Sequence, residues 1–526
     1  MSDNVRTAMR WLGLTLLVAA CGAESDPPAC DPDACAAEGK LCEADACVDP
    51  WRFGSPVWSR CDGGRTTPES LAAKAAGYDA RALGLHAHPQ MPWVMDVTIA
   101  PGVDPEAATY RDVVQWRSSE NDGLWNGLVI AAEAYRFAVT HDPAARATLA
   151  ALLDGEATRM RITGVPGLFT RQLIPPGVPG IACPTELDRY VPNAEKRGNR
   201  YVMIGGDGCA QISDGAQFIS TTHCGLTELA GWCFLDNISQ DEYIGHVFGL
   251  GAVARLVDDA ELRGKAVDML RQVGEHLAQH AMTFIDWDGR PTQWGKLYPG
   301  APGDTPGYLA ILGMSMAATA AVGTGDADLA ASYAALDWGS YFDQIEQWTG
   351  DDGCQANWNN LSMLTASFHH LLWNERDPAR RAPLLAAFDV ELAHPTVSAR
   401  GILAEHNAWY DIMWAAQKPL GPGTDGPAYA AVEDAVCQLR QFPRSNHVVA
   451  HDTTPLAPEV CLGRQSESLA GVAFEIADRC AATYAWWGNP YERRMCADEP
   501  TAVQQPAGFL LPYWMARYYG FIDATQ

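Results

Sequence analysis

Two short stretches bring acids together where they could act on a substrate. "RSSENDGLWNGL", Arg117 to Leu128, sets Glu120 and Asp122 directly before a long apolar run, and "ISQDEYIGH", Ile238 to His246, repeats the arrangement with Asp241 and Glu242. Hydrolysis of a glycosidic bond needs two such groups. One protonated acid gives its proton to the leaving oxygen, and one ionised carboxylate activates water or attacks directly. The same acids also suit a plainer role, because a serine stands three residues before Asp122 and before Glu242, as in a capping box, and the helix dipole favours acid at a helix start. Capping accounts for one acid in each stretch and leaves Glu120 and Asp241 without structural work. The preferred catalytic pair is therefore Asp122 with Asp241, each from a different helix, with Glu120 and Glu242 as substitutes. His246 shares a helical face with Glu242 and reads either as a hydrogen-bonded core residue or as a general base.

Other residues extend the candidate site. "EHNAWYD", Glu405 to Asp411, groups His406, Asn407 and Tyr410 before another apolar run. Such a trio either caps a helix or serves a polysaccharide lyase, where an amide neutralises a uronate carboxylate and histidine or tyrosine moves the protons. The loop "GRPTQWGKLYP" displays Trp294 and Lys296 between glycine and proline. Trp125, Trp358 and Trp409 sit near helix starts, where they either pack in the core or stack on sugar rings. Arg171 in "GLFTRQL" is either a surface ion-pair partner or a bidentate donor to a substrate carboxylate. No Gly-x-Ser-x-Gly elbow, phosphate-binding loop or His-Glu-x-x-His pattern is present, so serine hydrolase, nucleotide and zinc-protease chemistry lack support. No cofactor and no metal site is expected, and calcium has no ligand-loop spacing to argue from.

These residues need elements to gather them, and the chain supplies a repeat. Leu124 to Val139 is apolar nearly all round, as a helix buried on most sides reads, and "HDPAARATLAALL" follows with Asp142 as N-cap and Pro143 in the first turn. Val247 to Val257 leads in the same way to "DDAELRGKAVDMLRQVGEHL", Tyr308 to Val322 to "GDADLAASYAAL", and Leu361 to Leu372 to "RDPARRAPLLAAF". Further pairs are expected at Ala408 to Ala416 with Tyr429 to Leu439, and at Ser466 to Trp486 with Phe509 to Tyr519. Six buried helices, each paired with a one-sided amphipathic helix, describe an all-α fold, an (α/α)6 toroid with an inner and an outer ring. Inner helices of such a ring run the same way, so their first turns, with the acids, converge on one funnel.

The runs "ENDGLWNGLVIAAEAYRFAVTHDPAAR", "QDEYIGHVFG", "DWDGRPTQWGKLYP" and "LLWNERDPARR" are similar to a group of exported bacterial proteins that resemble the six-hairpin glycosidase superfamily. The match spans about Tyr110 to Pro443, apart from a cysteine-rich insertion. That close group has no agreed activity, so the resemblance implies the toroid more strongly than a reaction. The superfamily implies glycoside hydrolysis at the mouth of the inner ring, and similar toroids serve polysaccharide lyases.

The rest of the chain bounds compartment and partners. Residues 1–20 read as a signal peptide, with Arg6 and Arg10 before a ten-residue apolar run from Trp11 to Ala20, too short to span a bilayer. "LVAAC" resembles the bacterial lipobox, which makes Cys21 the lipidated residue and residues 21–29 a tether. The expected location is the bacterial cell envelope, with the membrane touched only through the lipid. Setting Cys21 aside leaves 14 of the 15 cysteines, an even number that suits disulfides in an oxidising compartment. Cys30, Cys35, Cys42 and Cys47 crowd into a polar stretch that reads as a stapled knob within residues 30–61; zinc is the competing reading, but there is no Cys-x-x-Cys pair. The toroid is expected over residues 66–526, with a Gly/Pro/Cys-rich insertion at about 164–232 over one mouth of the ring. A formal charge of −27 opposes nucleic acid or an anionic membrane surface as partner. Eighteen tryptophans suit the apolar faces of sugars, and a poly- or oligosaccharide bound by a monomer is the expected partner.

Overall fold

The computed structural model describes residues 41–43, 46–48, 56–57, 61, 69–118, 120–184, 198–214, 217–220, 223–301, 307–347, 357–393, 405–418, 426–481 and 489–526. The chain divides into two units, residues 1–50 and 51–526. In the first, Leu41–Glu43 pairs antiparallel with Ala46–Val48. The signal segment, the lipidation residue Cys21, the tether, Cys30 and Cys35 lie outside the described residues.

The second unit carries thirteen α-helices among its described residues: α1 (Leu71–Gly84), α2 (Asp122–Thr140), α3 (Pro143–Arg161), α4 (Gln240–Leu256), α5 (Ala260–Gln279), α6 (Tyr308–Thr324), α7 (Ala327–Ala334), α8 (Trp338–Gln347), α9 (Trp358–Asn374), α10 (Pro378–Ala393), α11 (Ala408–Ala415), α12 (Pro427–Gln441) and α13 (Ala507–Tyr518). Packing closes a ring. Helix α2 packs on α4, α4 on α6, α6 on α9, α9 on α11, α11 on α13, and α13 returns to α2. Outside it, α3 lies on α2, α5 spans α4 and α6, α7 and α8 lie on α6, α10 on α9, α12 on α11 and α1 on α13. The fold is an (α/α)6 toroid. Among the described residues no helix is long and apolar enough to cross a membrane.

Local sequence explains both rings. Inner helices are buried on nearly every side, so that Leu124, Leu128, Val129, Ile130 and Ala131 of α2 have no exposure at all. Outer helices start at aspartates: Asp142, Asp259 and Asp326 each accept from backbone N–H groups of the first turn. The closest inner contact is between α2 and α4, where glycine removes the side chain at the crossing. A Cβ on Gly127 would lie 2.0 Å from the Gly245 carbonyl oxygen, and one on Gly245 would lie 2.3 Å from Leu124 Cα.

One expected pair is different. Residues from Ser466 to Trp486 do not form an inner helix among those described: Ser468–Ala470 is a strand, Ile476–Asp478 a 3-10 turn, and Cys480 is bonded to Cys496. The last inner helix, α13, takes its outer partner from the start of the unit, where α1 covers it. The repeat grammar missed α1 because "LAAKAAGYDARALG" follows no buried helix.

Small antiparallel sheets decorate the ring. One orders His447–Val448, Glu499–Val503, Asp96–Ile99 and Val113–Arg117, joining the approach to α2 with the approach to α13. Another orders Gln172–Ile174, Cys233–Leu235, Tyr201–Ile204, Ala210–Asp214 and Gln217–Ser220 within and beside the insertion, with Cys183 bonded to Cys233 and Cys209 to Cys224.

Candidate active site at the starts of the first two inner helices

Asn121 and Ser239 are the N-cap residues of α2 and α4, and neither makes a side-chain capping bond. Asp122 instead accepts from Ser118 Oγ at 2.6 Å and lies 4.0 Å from Arg159 Nη2, with 1 % of its side chain exposed. For Glu242 the capping-box expectation is corrected, since Ser239 makes no side-chain capping bond and the Glu242 carboxyl lies 3.7 Å from His246 Nε2; for Asp122 it falls on Ser119, which lies outside the described residues.

Glu242 is fully buried, and burial raises its carboxyl well above the ordinary range; the Asp122 and Asp241 carboxyls add to this, while Arg159 and Arg171 oppose it. Asp241 is half-buried and is also raised, again chiefly by burial and against Arg171. Glu120 is exposed, accepts from Asn199 Nδ2 at 2.7 Å and lies 4.0 Å from Arg171 Nη2. These helix starts therefore hold carboxyls in unlike environments, Glu242 fully buried, Asp241 half-buried and Glu120 exposed.

His246 belongs to the layer beneath. Its Nδ1 meets Glu156 Oε2 at 2.5 Å, its Nε2 lies 3.7 Å from Glu242 Oε2, and its ring stacks on Phe169 with centroids 4.0 Å apart. Asn126 Nδ2 donates to the other Glu156 oxygen at 2.5 Å and its Oδ1 accepts from Val94 N. Burial pushes Glu156 up, but His246, Arg159 and Asn126 outweigh it and hold the carboxyl below its usual value. Gly123 makes room above: a Cβ there would fall 2.3 Å from His246 Nε2 and 2.4 Å from Glu242 Oε2. Replacing His246 with alanine leaves Glu156 charged, buried and without its imidazole, so a loss of about 3–5 kcal/mol in unfolding free energy is expected. Denaturant unfolding of His246→Ala against Glu156→Gln/His246→Ala checks it; the double variant should recover part of the loss.

Arg171 is buried and its donors are engaged within the protein. It reaches the Glu120 carbonyl (3.2 Å), the Asn237 carbonyl (3.3 Å) and Asn121 Oδ1 (3.4 Å). It thus ties the approach to α2 to the approach to α4. Both tied residues, with His406 before α11, have left-handed backbone: φ is 62° at Glu120, 60° at Asn237 and 49° at His406. Non-glycine residues in that region carry strain that tends to gather at functional sites.

Solved glycoside hydrolases have a similar outline. An endoglucanase of Alicyclobacillus acidocaldarius matches at TM-score 0.40 with 12 % identity, covering 86 % of this chain and 84 % of that one. A GH76 alpha-mannanase of Bacteroides thetaiotaomicron matches at 0.38 with 8 % identity over 87 % and 98 %, and a GH family 9 endoglucanase at 0.37 with 14 % identity over 86 % and 85 %. No family model and no curated relative matches the chain. The chemistry of the site rests on its own geometry.

The remaining candidates are spread along the other helix starts. Trp294 is 49 % exposed on the strand Pro291–Lys296, whose Gln293 N–H donates to Asn237 Oδ1 at 2.8 Å, so this hairpin adjoins the acids. Trp125 and Trp409 are buried. Trp358 is half-buried, with its ring centroid 5.8 Å from that of Tyr491. Asn407 caps α11 by accepting from Trp409 N, and Tyr410 is buried with its hydroxyl 3.1 Å from Ser362 Oγ. His406 Nδ1 lies 2.9 Å from Asp434 Oδ1, and burial, which lowers its pKa, is outweighed by Asp434 so that the imidazole is raised.

Sequence reasoning missed Glu156, Arg159, Asn126 and Asp96. Glu156 and Arg159 were legible as charges three residues apart on an outer helix whose other buried positions carry no charge. Asp96 had no signal, because it is placed by strand pairing opposite Arg117, and Gln505 N–H donates to its Oδ1 at 2.8 Å. Burial raises Asp96 to about 6, Asp122 adds to the rise, and the Gln505 N–H and Arg117 oppose it. Asp79 of α1, 3.6 Å from Arg136 Nε of α2, is likewise raised by burial to about 6. Both groups bind more protons folded than unfolded between pH 3.8 and about 6, so their cost to the fold appears as pH rises through that window and is complete above it. The thermal midpoint should be higher near pH 5 than near pH 7.5. Asp79→Asn should flatten that difference in a calorimetric pH series, and an unchanged slope would contradict the assignment.

Proposed function

We propose that this protein hydrolyses glycosidic bonds at the inner-helix starts, with Asp241 as the protonated acid and Asp122 as the ionised carboxylate. The observation that carries the reading is the contrast between them. Asp122 is held by Ser118 Oγ and Arg159, whereas Asp241 is half-buried, accessible and raised by desolvation. Glycoside hydrolysis asks for that division of labour. Glu242 and His246 lie beneath and keep the acidic layer ordered, and Glu120 and Arg171 fix its rim. Trp294, exposed on the neighbouring hairpin, offers a face on which a sugar ring can stack. Arg171 meets protein carbonyls rather than a substrate carboxylate, which favours neutral over uronate glycans.

A panel of soluble neutral and uronate polysaccharides tests the reaction class. New reducing ends without absorbance from unsaturated uronate support a hydrolase. Unsaturated products support a lyase built on His406, Asn407 and Tyr410, and retention without cleavage supports a binder. Export and anchoring through Cys21 are proposed from the N-terminal sequence, and the disulfides at Cys183–Cys233, Cys209–Cys224 and Cys480–Cys496 suit an oxidising compartment. Cys21→Ser is expected to release the protein from membrane fractions of an expressing bacterium, and unchanged fractionation would count against the anchor.

A further inference from the structure

An outer helix ordinarily turns an apolar side to the inner ring and a polar side to water. Helix α5 does so, with Glu261, Arg263, Asp268 and Glu275 among its exposed positions. Helix α1 is reversed. Its charged side chains Lys74, Asp79 and Arg81 are buried, and its three exposed positions, Ala73, Ala76 and Ala80, are all alanine. Ala72, Ala76 and Ala80, spaced one turn apart, and Leu83 beyond them line a cleft of about 550 Å³. Ala144 of α3 lines it too, with Arg136 of α2 and Trp514 and Arg517 of α13.

The charges in this cleft are unevenly matched. Arg136 is matched within the protein: its Nε lies 3.6 Å from Asp79 Oδ2, its Nη1 donates to Glu133 Oε2 at 3.1 Å and its Nη2 donates to Asp142 Oδ2 at 2.6 Å. Trp514 Nε1 donates to the other Asp79 oxygen at 3.1 Å. Arg517 differs. It is half-buried, its Nη1 donates to the Tyr513 hydroxyl at 3.1 Å, and its guanidinium lies 5.7 Å from the centre of the Trp514 ring. Among the described residues no carboxylate forms an ion pair with it, and Asp523, whose Oδ1 accepts from Thr525, acts on it only at longer range.

We propose that the cleft lined by α1, α3 and α13 binds a small monocarboxylate with a hydrocarbon body, the hydrocarbon lying along Ala72, Ala76, Ala80 and Leu83 and the carboxylate on Arg517. A guanidinium fork matches a carboxylate in shape as well as charge, and the single unmatched cation calls for a single anionic group. Covering the alanine face removes apolar surface from water, which is the driving force for the hydrocarbon part. The volume lies within the range of small-molecule clefts. This site is remote from the acids at the helix starts. Asp122 opens α2 and Arg136 lies 14 residues further on, about 21 Å along the axis. Binding there does not depend on glycan hydrolysis.

Calorimetric titration of the full chain with octanoate, beside octanamide of the same chain length and no charge, tests this. Octanoate should fill one saturable site, and octanamide should bind it about tenfold more weakly or worse, because it forgoes the charge-assisted hydrogen bonds to Arg517. Arg517→Gln should bring octanoate down to the level of octanamide and leave octanamide unchanged. Ala76→Leu, which suits an exposed helix position, should weaken both ligands by occupying the cleft, and it carries the test should Arg517→Gln melt early. No saturable octanoate binding, equal affinity for octanoate and octanamide, or an octanoate affinity that a folded Arg517→Gln or Ala76→Leu protein retains would overturn the proposal.

Discussion

Asp241→Asn is expected to lower glycan hydrolysis by about 10²–10⁴-fold while leaving the fold intact, the range a positioned proton donor contributes. Asparagine matches aspartate in shape but has no acidic proton to give. Removing a carboxyl whose charged form burial already disfavours adds no desolvation penalty, so the variant's thermal midpoint should equal or exceed that of the natural protein. Asp122→Asn should lose activity to a similar degree for the opposite reason. Its amide oxygen still accepts from Ser118 Oγ, but no negative charge remains to activate water beside Arg159. Reducing-end release measured beside a thermal melt separates the two effects. Variants that unfold, or that melt normally and keep full activity, would return these acids to a structural role.

The second large effect is on the ring itself. Gly127→Ala would ordinarily gain about 1 kcal/mol from helix propensity. Here the added methyl meets backbone: its carbon would lie 2.0 Å from the Gly245 carbonyl oxygen and 2.2 Å from the carbonyl carbon, neither of which can rotate away. Overpacking should dominate, with a net loss of about 3 kcal/mol or more, because α2 and α4 must separate to relieve it. Their separation also pulls the starts of the two helices apart, so activity should fall before the fold does. Urea unfolding gives the stability change directly, and a Gly127→Ala protein as stable as the natural one would show that this crossing is looser than described.

The fold was legible because two signals coincide in each hairpin. An inner helix such as α2 is apolar all round, and its outer partner begins at an aspartate followed by one-sided spacing, which burial on one or both faces requires. The pattern failed where the ring closes, since the partner of α13 comes from the far end of the chain and no local grammar links Leu71 to Ala507. The strands failed for a related reason: Asp96–Ile99 is too short to announce itself and exists by pairing with Val113–Arg117 and Glu499–Val503. The acids were found, but the groups that surround them were not. Spacing suggested a capping box at Glu242 that Ser239 does not make, and spacing cannot reveal that Arg159 of the outer helix α3 reaches under Asp122, or that Glu156 and His246 fill the layer below. Side chains that meet across helices are decided by packing, which periodicity only brackets.

Hydrolysis of a neutral oligosaccharide in water enriched in heavy oxygen, with the products resolved by mass, tests the central claim most directly. Activation of water by Asp122 and protonation of the leaving oxygen by Asp241 place one solvent oxygen at each new reducing end, so every cleaved bond should yield one heavy-labelled product. An unsaturated product carrying no solvent oxygen, or an oligosaccharide that is bound and recovered whole, would contradict the account.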